Sequence, residues 1–108
     1  MAGKHTLLVD PDDQRREANV VMLKLAHINA LTASNGTEAL ECMEAESPDL
    51  IICDLGIEGH SAQELCEYVH EFMPGHVHFV LVVPKEEEDP EGVRKKIGAD
   101  VVFSRPLN

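Results

Sequence analysis

Aromatic residues are scarce in this chain of 108 residues: they make up 4% of it, with three phenylalanines, one tyrosine and no tryptophan. A packed core must therefore be built mainly from aliphatic side chains, and a hydrophobic fraction of 44% is sufficient for one. The length suggests a single domain with a single core.

Positive charge is also scarce. Nine lysines and arginines stand against 20 aspartates and glutamates, so the formal net charge is −11. An electrostatic field of that sign repels a polyanion, which argues against nucleic-acid binding. The composition instead favours divalent cations or partners with a basic face.

Cysteine is limited to Cys42, Cys53 and Cys66, an odd number whose spacing matches no zinc or redox motif. We expect three small hydrophobic side chains in a reducing compartment. The first residues, 1–5, lead straight into a strand and do not resemble a signal peptide, and every apolar run is far shorter than a membrane span. The default expectation is a cytoplasmic domain that makes no membrane contact.

Short apolar runs alternate with amphipathic segments along the whole chain. The predicted strands are 6–10, 28–33, 49–54, 77–83 and 100–104, and the predicted helices are 12–27, 37–46, 61–73 and 90–97. Because the strands are nearly continuously apolar, they favour a parallel sheet with helices on both faces. Right-handed crossovers then give a doubly wound α/β fold.

Helical periodicity also predicts which side chains face the core. In the first helix the inward set is Ala18, Val21, Leu25 and Ile28, and residues 14–17 face water. In the third helix, Leu65, Val69 and Phe72 share one face. Ser61 and Glu64 form a capping box that starts this helix, and Pro74 ends it.

Two strands end in a carboxylate. Asp10 closes the run 7–9, and Asp54 closes the run 50–53 and precedes a turn, while Arg105 follows the last strand. Taken singly, each aspartate is equally well explained as a cap or turn residue. Ligands of open parallel sheets bind at the carboxyl ends of the strands, so the three side chains can meet in one crevice. Such a set suits acyl-phosphate chemistry, in which an aspartate attacks phosphorus beside a divalent cation.

These motifs resemble those of a two-component response-regulator receiver domain. The segments that carry the resemblance are 6–10, 48–54 and 98–107, and 48–54 is the most specific of them. The resemblance implies a five-stranded parallel sheet of flavodoxin-like order 2-1-3-4-5. It also implies that residues 1–108 form a receiver-like domain that stops before a fifth helix and belongs to a longer protein.

By the same resemblance, Asp54 is the phosphoacceptor and Asp10, Asp54 and the carbonyl of Gly56 hold Mg²⁺. Arg105 stands where the family has a lysine. The implied role is phosphorelay signalling, without enzymatic activity of the domain itself. The implied partners are a histidine kinase or phosphotransfer protein and an output domain.

Several positions depart from the family pattern. The second acid of the family falls at Pro11, which weakens a Mg²⁺ site, although Asp12 is a conceivable replacement. The hydroxyl residue falls at Val83, and the aromatic switch position falls at Val102. Arginine prefers a static bidentate pair with a carboxylate, so we expect Arg105 and Asp54 to form a standing ion pair.

Two other interpretations stay open. The departures favour a pseudo-receiver that acts as a constitutive interaction or dimerisation module, and the uncovered sheet edge makes a homodimer plausible. A small α/β enzyme or nucleotide-binding protein is a weaker alternative, because residues 10–13 are acidic where a glycine-rich phosphate loop would follow the first strand.

Overall fold

The computed structural model describes residues 5–73 and 75–106, which form five strands and four helices. In chain order these are β1 (Thr6–Val9), α1 (Asp13–Leu25), β2 (Ala30–Ala33), α2 (Gly36–Glu46), β3 (Leu50–Asp54), α3 (Ala62–Phe72), β4 (His78–Val83), α4 (Pro90–Ile97) and β5 (Val101–Ser104). All strand pairs are parallel, in the order β2-β1-β3-β4-β5. The predicted fold class and strand order are confirmed.

The connection between α1 and β2 is longer than predicted. His27 has a φ of 65°, and the amide of Ile28 donates to the carbonyl of Leu23 at 2.9 Å. These residues complete the end of α1, so β2 begins at Ala30 and not at Ile28. The predicted helix stop at Pro74 lies outside the described residues; α3 ends at Phe72.

The core lies between one face of the sheet and helices α2, α3 and α4. Fully buried side chains from the three central strands form its centre, and most of them are aliphatic: Leu7, Val9, Ile51, Phe79, Leu81 and Val83. Met43 of α2 and Leu65 of α3 pack onto them. Phe79 is the one aromatic side chain that is fully buried among the described residues, as expected for so few aromatics.

The opposite face of the sheet is thinly covered. α1 packs against β1 and β2, and a right-handed crossover puts it on this face. On β5, beyond the reach of α1, Val101 is 42% exposed and Phe103 is 52% exposed. β5 therefore presents an exposed apolar surface on this face of the sheet.

The predicted inward face of α1 is wrong. Val21 is 59% exposed, Leu25 is 79% exposed and Ala18 is also exposed, while Arg15 and Arg16 are half-buried. The run 20–23 is continuously apolar, so periodicity alone leaves the rotation of the helix undetermined. Hydrogen bonds from both arginines to Asp10 select the rotation that is observed.

The third helix follows its prediction except at its end. Ser61 and Glu64 form both hydrogen bonds of the capping box, and Leu65 and Val69 are buried. Phe72 is 64% exposed, so its predicted inward position is wrong. It lies at the margin of the buried stripe and packs against the ring of Tyr68, with 5.2 Å between the ring centroids.

The three cysteines lie in the hydrophobic core or pack against it. Cys53 and Cys66 are buried and Cys42 is partly buried, and none forms a disulfide. Burial raises the pKa of Cys53 to about 12 and that of Cys66 to about 11, so these thiols are poor nucleophiles at neutral pH. Within the described part of the chain, no helix has the length and apolar character needed to cross a membrane.

Candidate functional site

The register between β1 and β3 brings two aspartates together. Val9 is paired with Cys53, so Asp10 and Asp54 follow side by side at the carboxyl ends of neighbouring strands. Asp10 is 4% exposed and Asp54 is 5% exposed. Burying two carboxylates at one place is costly unless cations or hydrogen-bond donors compensate them.

Asp10 is compensated by Arg15 of α1. The Nε of Arg15 donates to Oδ2 of Asp10 at 2.8 Å, and its Nη2 donates to Oδ1 at 2.7 Å. The amide of Asp12 donates to Oδ1 at 2.9 Å, and Arg16 donates to the main-chain carbonyl of Asp10 at 2.8 Å. This forked arrangement is the geometry in which arginine holds a carboxylate most tightly.

Arg15 also faces the second carboxylate. Its Nη2 lies 3.8 Å from Oδ1 of Asp54 while remaining bonded to Asp10. The hydrogen bond to Asp10 raises the pKa of Arg15 further above its ordinary value, so the guanidinium keeps its charge. One fixed cation is therefore shared by both acids.

Arg105 supplies a second cation from the far side. Its amide donates to the carbonyl of Val83 at 3.0 Å, which extends the ladder between β4 and β5 by one step. From there its Nη2 reaches across β4 and forms an ion pair with Oδ1 of Asp54. Burial, together with the charge of Arg15, lowers the pKa of Arg105, but an arginine remains protonated at neutral pH.

Asp54 is held differently from Asp10. Its Oδ2 accepts one hydrogen bond, from the amide of Gly56 at 2.9 Å. Its Oδ1 faces the two guanidinium groups but accepts no well-aligned hydrogen bond from the described residues. Two arginines therefore share this oxygen.

The loop that follows Asp54 is anchored to the start of α2. The amide of Gly36 donates to the carbonyl of Glu58 at 2.8 Å. A Cβ on Gly36 would lie 1.8 Å from the carbonyl oxygen of His60, so only glycine allows this approach. Gly36, at the start of α2, thus also fixes the loop beside the acidic site.

Neither Pro11 nor Asp12 adds an oxygen ligand to the two buried acids. Pro11 is exposed. Asp12 caps α1: its carboxylate accepts from the amide of Arg15 at 2.9 Å, and this hydrogen bond lowers the pKa of Asp12. The suggested replacement of the missing acid by Asp12 is therefore not seen; the side chain is used in helix capping.

The residues present do not fit a Mg²⁺ ion. Mg²⁺ requires oxygen ligands in octahedral array, and both oxygens of Asp10 are directed at Arg15. Among residues 5–73 and 75–106, no group of three or more His, Cys, Asp or Glu side chains is arranged to hold a metal. The Arg15 guanidinium lies where a cation between the two carboxylates would have to bind.

The predicted residues Asp10, Asp54, Gly56 and Arg105 all lie at this site, and Arg15 was missed. Periodicity assigned Arg15 to the solvent face of α1. One signal could have revealed it: Arg15 and Arg16 lie in the first turn of a helix, where the helix dipole disfavours cations. Cations at such a position point to a nearby anion.

Comparison with known proteins identifies relatives in one family. Residues 6–108 match the family model described as the response regulator receiver domain. The chain is 29% identical to the phosphate regulon transcriptional regulatory protein PhoB of Pseudomonas aeruginosa, over all of this chain and 48% of that protein. It is 34% identical to a cyclic di-GMP phosphodiesterase of Thermotoga maritima, over 94% of this chain and 27% of that protein. The chain thus spans less than half the length of either relative.

Solved structures share the fold. A putative response regulator from Chloroflexus aurantiacus superimposes with a TM-score of 0.84, covering 99% of this chain and 88% of that one at 23% identity. Identity this low supports the fold and carries no residue roles.

Proposed function

This chain belongs to the response regulator receiver domain family, and we propose that it acts in two-component signalling as a pseudo-receiver. In this role the domain binds its partners without being switched by phosphorylation of Asp54. The observation that carries the proposal is the position of Arg15, which donates two hydrogen bonds to Asp10 and lies 3.8 Å from Asp54.

The charge balance of the site supports this proposal. Two carboxylates, Asp10 and Asp54, are matched by two guanidinium groups, Arg15 and Arg105. A phosphoryl group on Asp54 would add negative charge, and its oxygens would need a new cation or donor. Val83 has no hydroxyl to offer, and Arg15 would have to release Asp10 to help.

A second candidate function is phosphate acceptance at Asp54, in a site that differs from the usual one. The observation in its favour is that Asp54 ends β3 beside Arg105, a cation that can pair with phosphoryl oxygens. Mg²⁺ would then need Arg15 to move away, exposing Asp10, Asp54 and the Gly56 carbonyl as ligands.

Phosphoryl transfer separates the two candidates directly. The chain is incubated with acetyl phosphate or beryllium fluoride in the presence of Mg²⁺, and its intact mass or fluorine spectrum is recorded. The pseudo-receiver role predicts no adduct on the unmodified chain. An adduct that disappears in Asp54→Asn supports phosphate acceptance and overturns the proposal.

A gain-of-function series provides the control for a negative result. Arg15→Ala combined with Pro11→Asp removes the blocking cation and supplies the missing acid, and Val83→Thr adds the hydroxyl. We expect the triple variant to form the adduct that the parent does not form. Arg16→Ala with the same two additions is the matched control, because Arg16 bonds to the main-chain carbonyl of Asp10 and to the exposed Asp13, and within the described part of the chain it pairs with neither site carboxylate.

The proposal also covers the protein that contains this domain and the partners of the domain. We infer that residues 1–108 form a receiver-like unit of a longer cytoplasmic signalling protein, since the curated relatives are longer. The domain itself catalyses no turnover. Its partners are an output domain and, in the phosphate-accepting alternative, a histidine kinase or phosphotransfer protein.

The homodimer hypothesis is that two copies of the domain associate through the exposed β5 surface. It is tested by comparing the sedimentation of the parent with that of Phe103→Ser.

A further inference from the structure

A groove of about 260 Å³ lies between α2 and α3. Leu40 of α2 and Leu65, Tyr68 and Phe72 of α3 provide its apolar surface. None of these residues takes part in the site around Asp54, so the groove is a separate feature of the molecule.

Phe72, one of the two aromatic residues in this groove, lies outside the core, whereas Tyr68 is partly buried against it. Phe72 is 64% exposed, although it is one of only three phenylalanines in the chain. Its ring packs on Tyr68 with a centroid separation of 5.2 Å and an interplanar angle of 41°. Large exposed aromatic side chains next to a cavity are typical of binding surfaces.

The rim of the groove is acidic. Glu64, Glu67 and Glu71 line it at helical spacing, and together α2 and α3 carry seven glutamates and no lysine or arginine. His60 is the one cationisable side chain at the groove, and its Nδ1 lies 3.7 Å from Glu64. The hydrogen bond from the Ser61 amide lowers the pKa of Glu64, which keeps that carboxylate ionised.

We propose that the α2–α3 groove binds an arginine side chain presented by a basic segment of a partner protein. A guanidinium combines the two properties that this surface complements: its plane stacks on aromatic faces, and its fork pairs with carboxylates. Tyr68 and Phe72 provide the aromatic faces, and Glu67 and Glu71 the carboxylates. This inference goes beyond the proposed function, because it requires neither Asp54 nor Arg15.

Other occupants match the groove less well. The described residues provide no cluster of three ligands for a metal, and the net charge of −11 repels nucleic acid. A second copy could offer its own basic helix α4, but Arg94 there is engaged by Glu91 and by the carbonyl of Ala99, both at 2.9 Å.

The proposal is tested with a short helical peptide that carries one arginine beside leucine, labelled with a fluorophore, and with versions in which arginine is replaced by lysine or norleucine. Binding to the full 108-residue chain is followed by fluorescence anisotropy. We expect the arginine peptide to bind best and Phe72→Ala to weaken it about tenfold, in line with the loss of a desolvated cation–π contact. Asp54→Asn should bind as the parent does.

Charge reversal distinguishes the binding of arginine in the groove from non-specific electrostatic attraction of the peptide to the acidic domain. Glu67→Lys with Glu71→Lys should abolish binding, whereas Glu86→Lys with Glu88→Lys changes the net charge equally at an exposed loop outside the groove and should leave it nearly intact. Equal losses in the two double variants, no preference for arginine, or no binding at all would overturn the proposal. Self-association of the parent that Phe72→Ala removes would also overturn it, in favour of a second copy as occupant.

Discussion

The ends of β1 and β3 differ in how each holds its buried aspartate. Asp10 accepts three directed hydrogen bonds, two from Arg15 and one from the amide of Asp12. Asp54 accepts one, from the amide of Gly56, and its other oxygen forms ion pairs with Arg105 and Arg15. The parallel sheet places both acids alike, but their partners differ: Asp10 is tied to the start of α1, and Asp54 pairs with arginines from α1 and from the end of β5.

The largest loss of stability should come from replacing Asp10, which accepts more directed hydrogen bonds than Asp54. Asp10→Ala leaves Arg15 without its main partner and the amide of Asp12 unsatisfied, so we expect a loss of about 3–5 kcal/mol in the free energy of unfolding. Urea denaturation followed by circular dichroism measures it.

Asp54→Asn is the matched comparison. It keeps an acceptor for the Gly56 amide and removes one costly buried charge, so we expect a change of about 1 kcal/mol or less. If Asp54→Asn destabilises the domain as much as Asp10→Ala, the two strand ends do not differ in the way described.

An effect between those of Asp10→Ala and Asp54→Asn is expected at Arg105. Arg105→Ala leaves Asp54 with Arg15 as its one nearby guanidinium among the described residues, and we expect a loss of about 2 kcal/mol, typical of a charged hydrogen-bonding partner. Arg105→Lys retains the charge and should recover most of that loss. Thermal unfolding of both variants is the measurement, and equal destabilisation by alanine and lysine would show that the charge at this position does not stabilise Asp54.

The smallest effect concerns the cap that completes the loop after Asp10. The pKa of Asp12 is lowered from 3.8 by the amide of Arg15, so ionised Asp12 stabilises the fold above the unfolded-state pKa. That stabilisation is lost as the pH falls through the lower folded-state pKa. Asp12→Ala should therefore be less stable than the parent at pH 7, and the two should converge in strong acid.

Asp12→Asn serves as the control for this pH dependence, because asparagine caps a helix without titrating. Its stability relative to the parent should change with acid in the same direction as that of Asp12→Ala. A constant difference between parent and Asp12→Ala from neutral to acid pH would contradict the capping role of the charge.

Much of the fold could be predicted from local sequence patterns, because the continuously apolar strands and the helix-capping residues indicate the same alternation of strands and helices. The capping box at Ser61 was a clear signal. The rotation of α1 could not be predicted, since its run of four consecutive apolar residues fits two faces equally. The hydrogen bonds of Arg15 and Arg16 to Asp10 decide between them.

The residues of the site that lie at the ends of strands could be predicted from the sequence. Asp10, Asp54 and Arg105 each follow an apolar strand, and the parallel sheet gathers such positions at one edge. Arg15 could not be found this way because it comes from a helix whose rotation was unknown. The omission of Arg15 from the prediction matters, because Arg15 changes the site from a candidate metal site into one whose carboxylates are already neutralised by arginine.

Magnesium binding tests this central point most directly. The parent, Arg15→Ala and the matched Arg16→Ala are each titrated with Mg²⁺ in a calorimeter. If the Arg15 guanidinium holds the cation position, the parent and Arg16→Ala show no saturable binding, and Arg15→Ala shows saturable binding. Saturable Mg²⁺ binding by the parent, at an affinity that Arg15→Ala does not improve, would contradict the account.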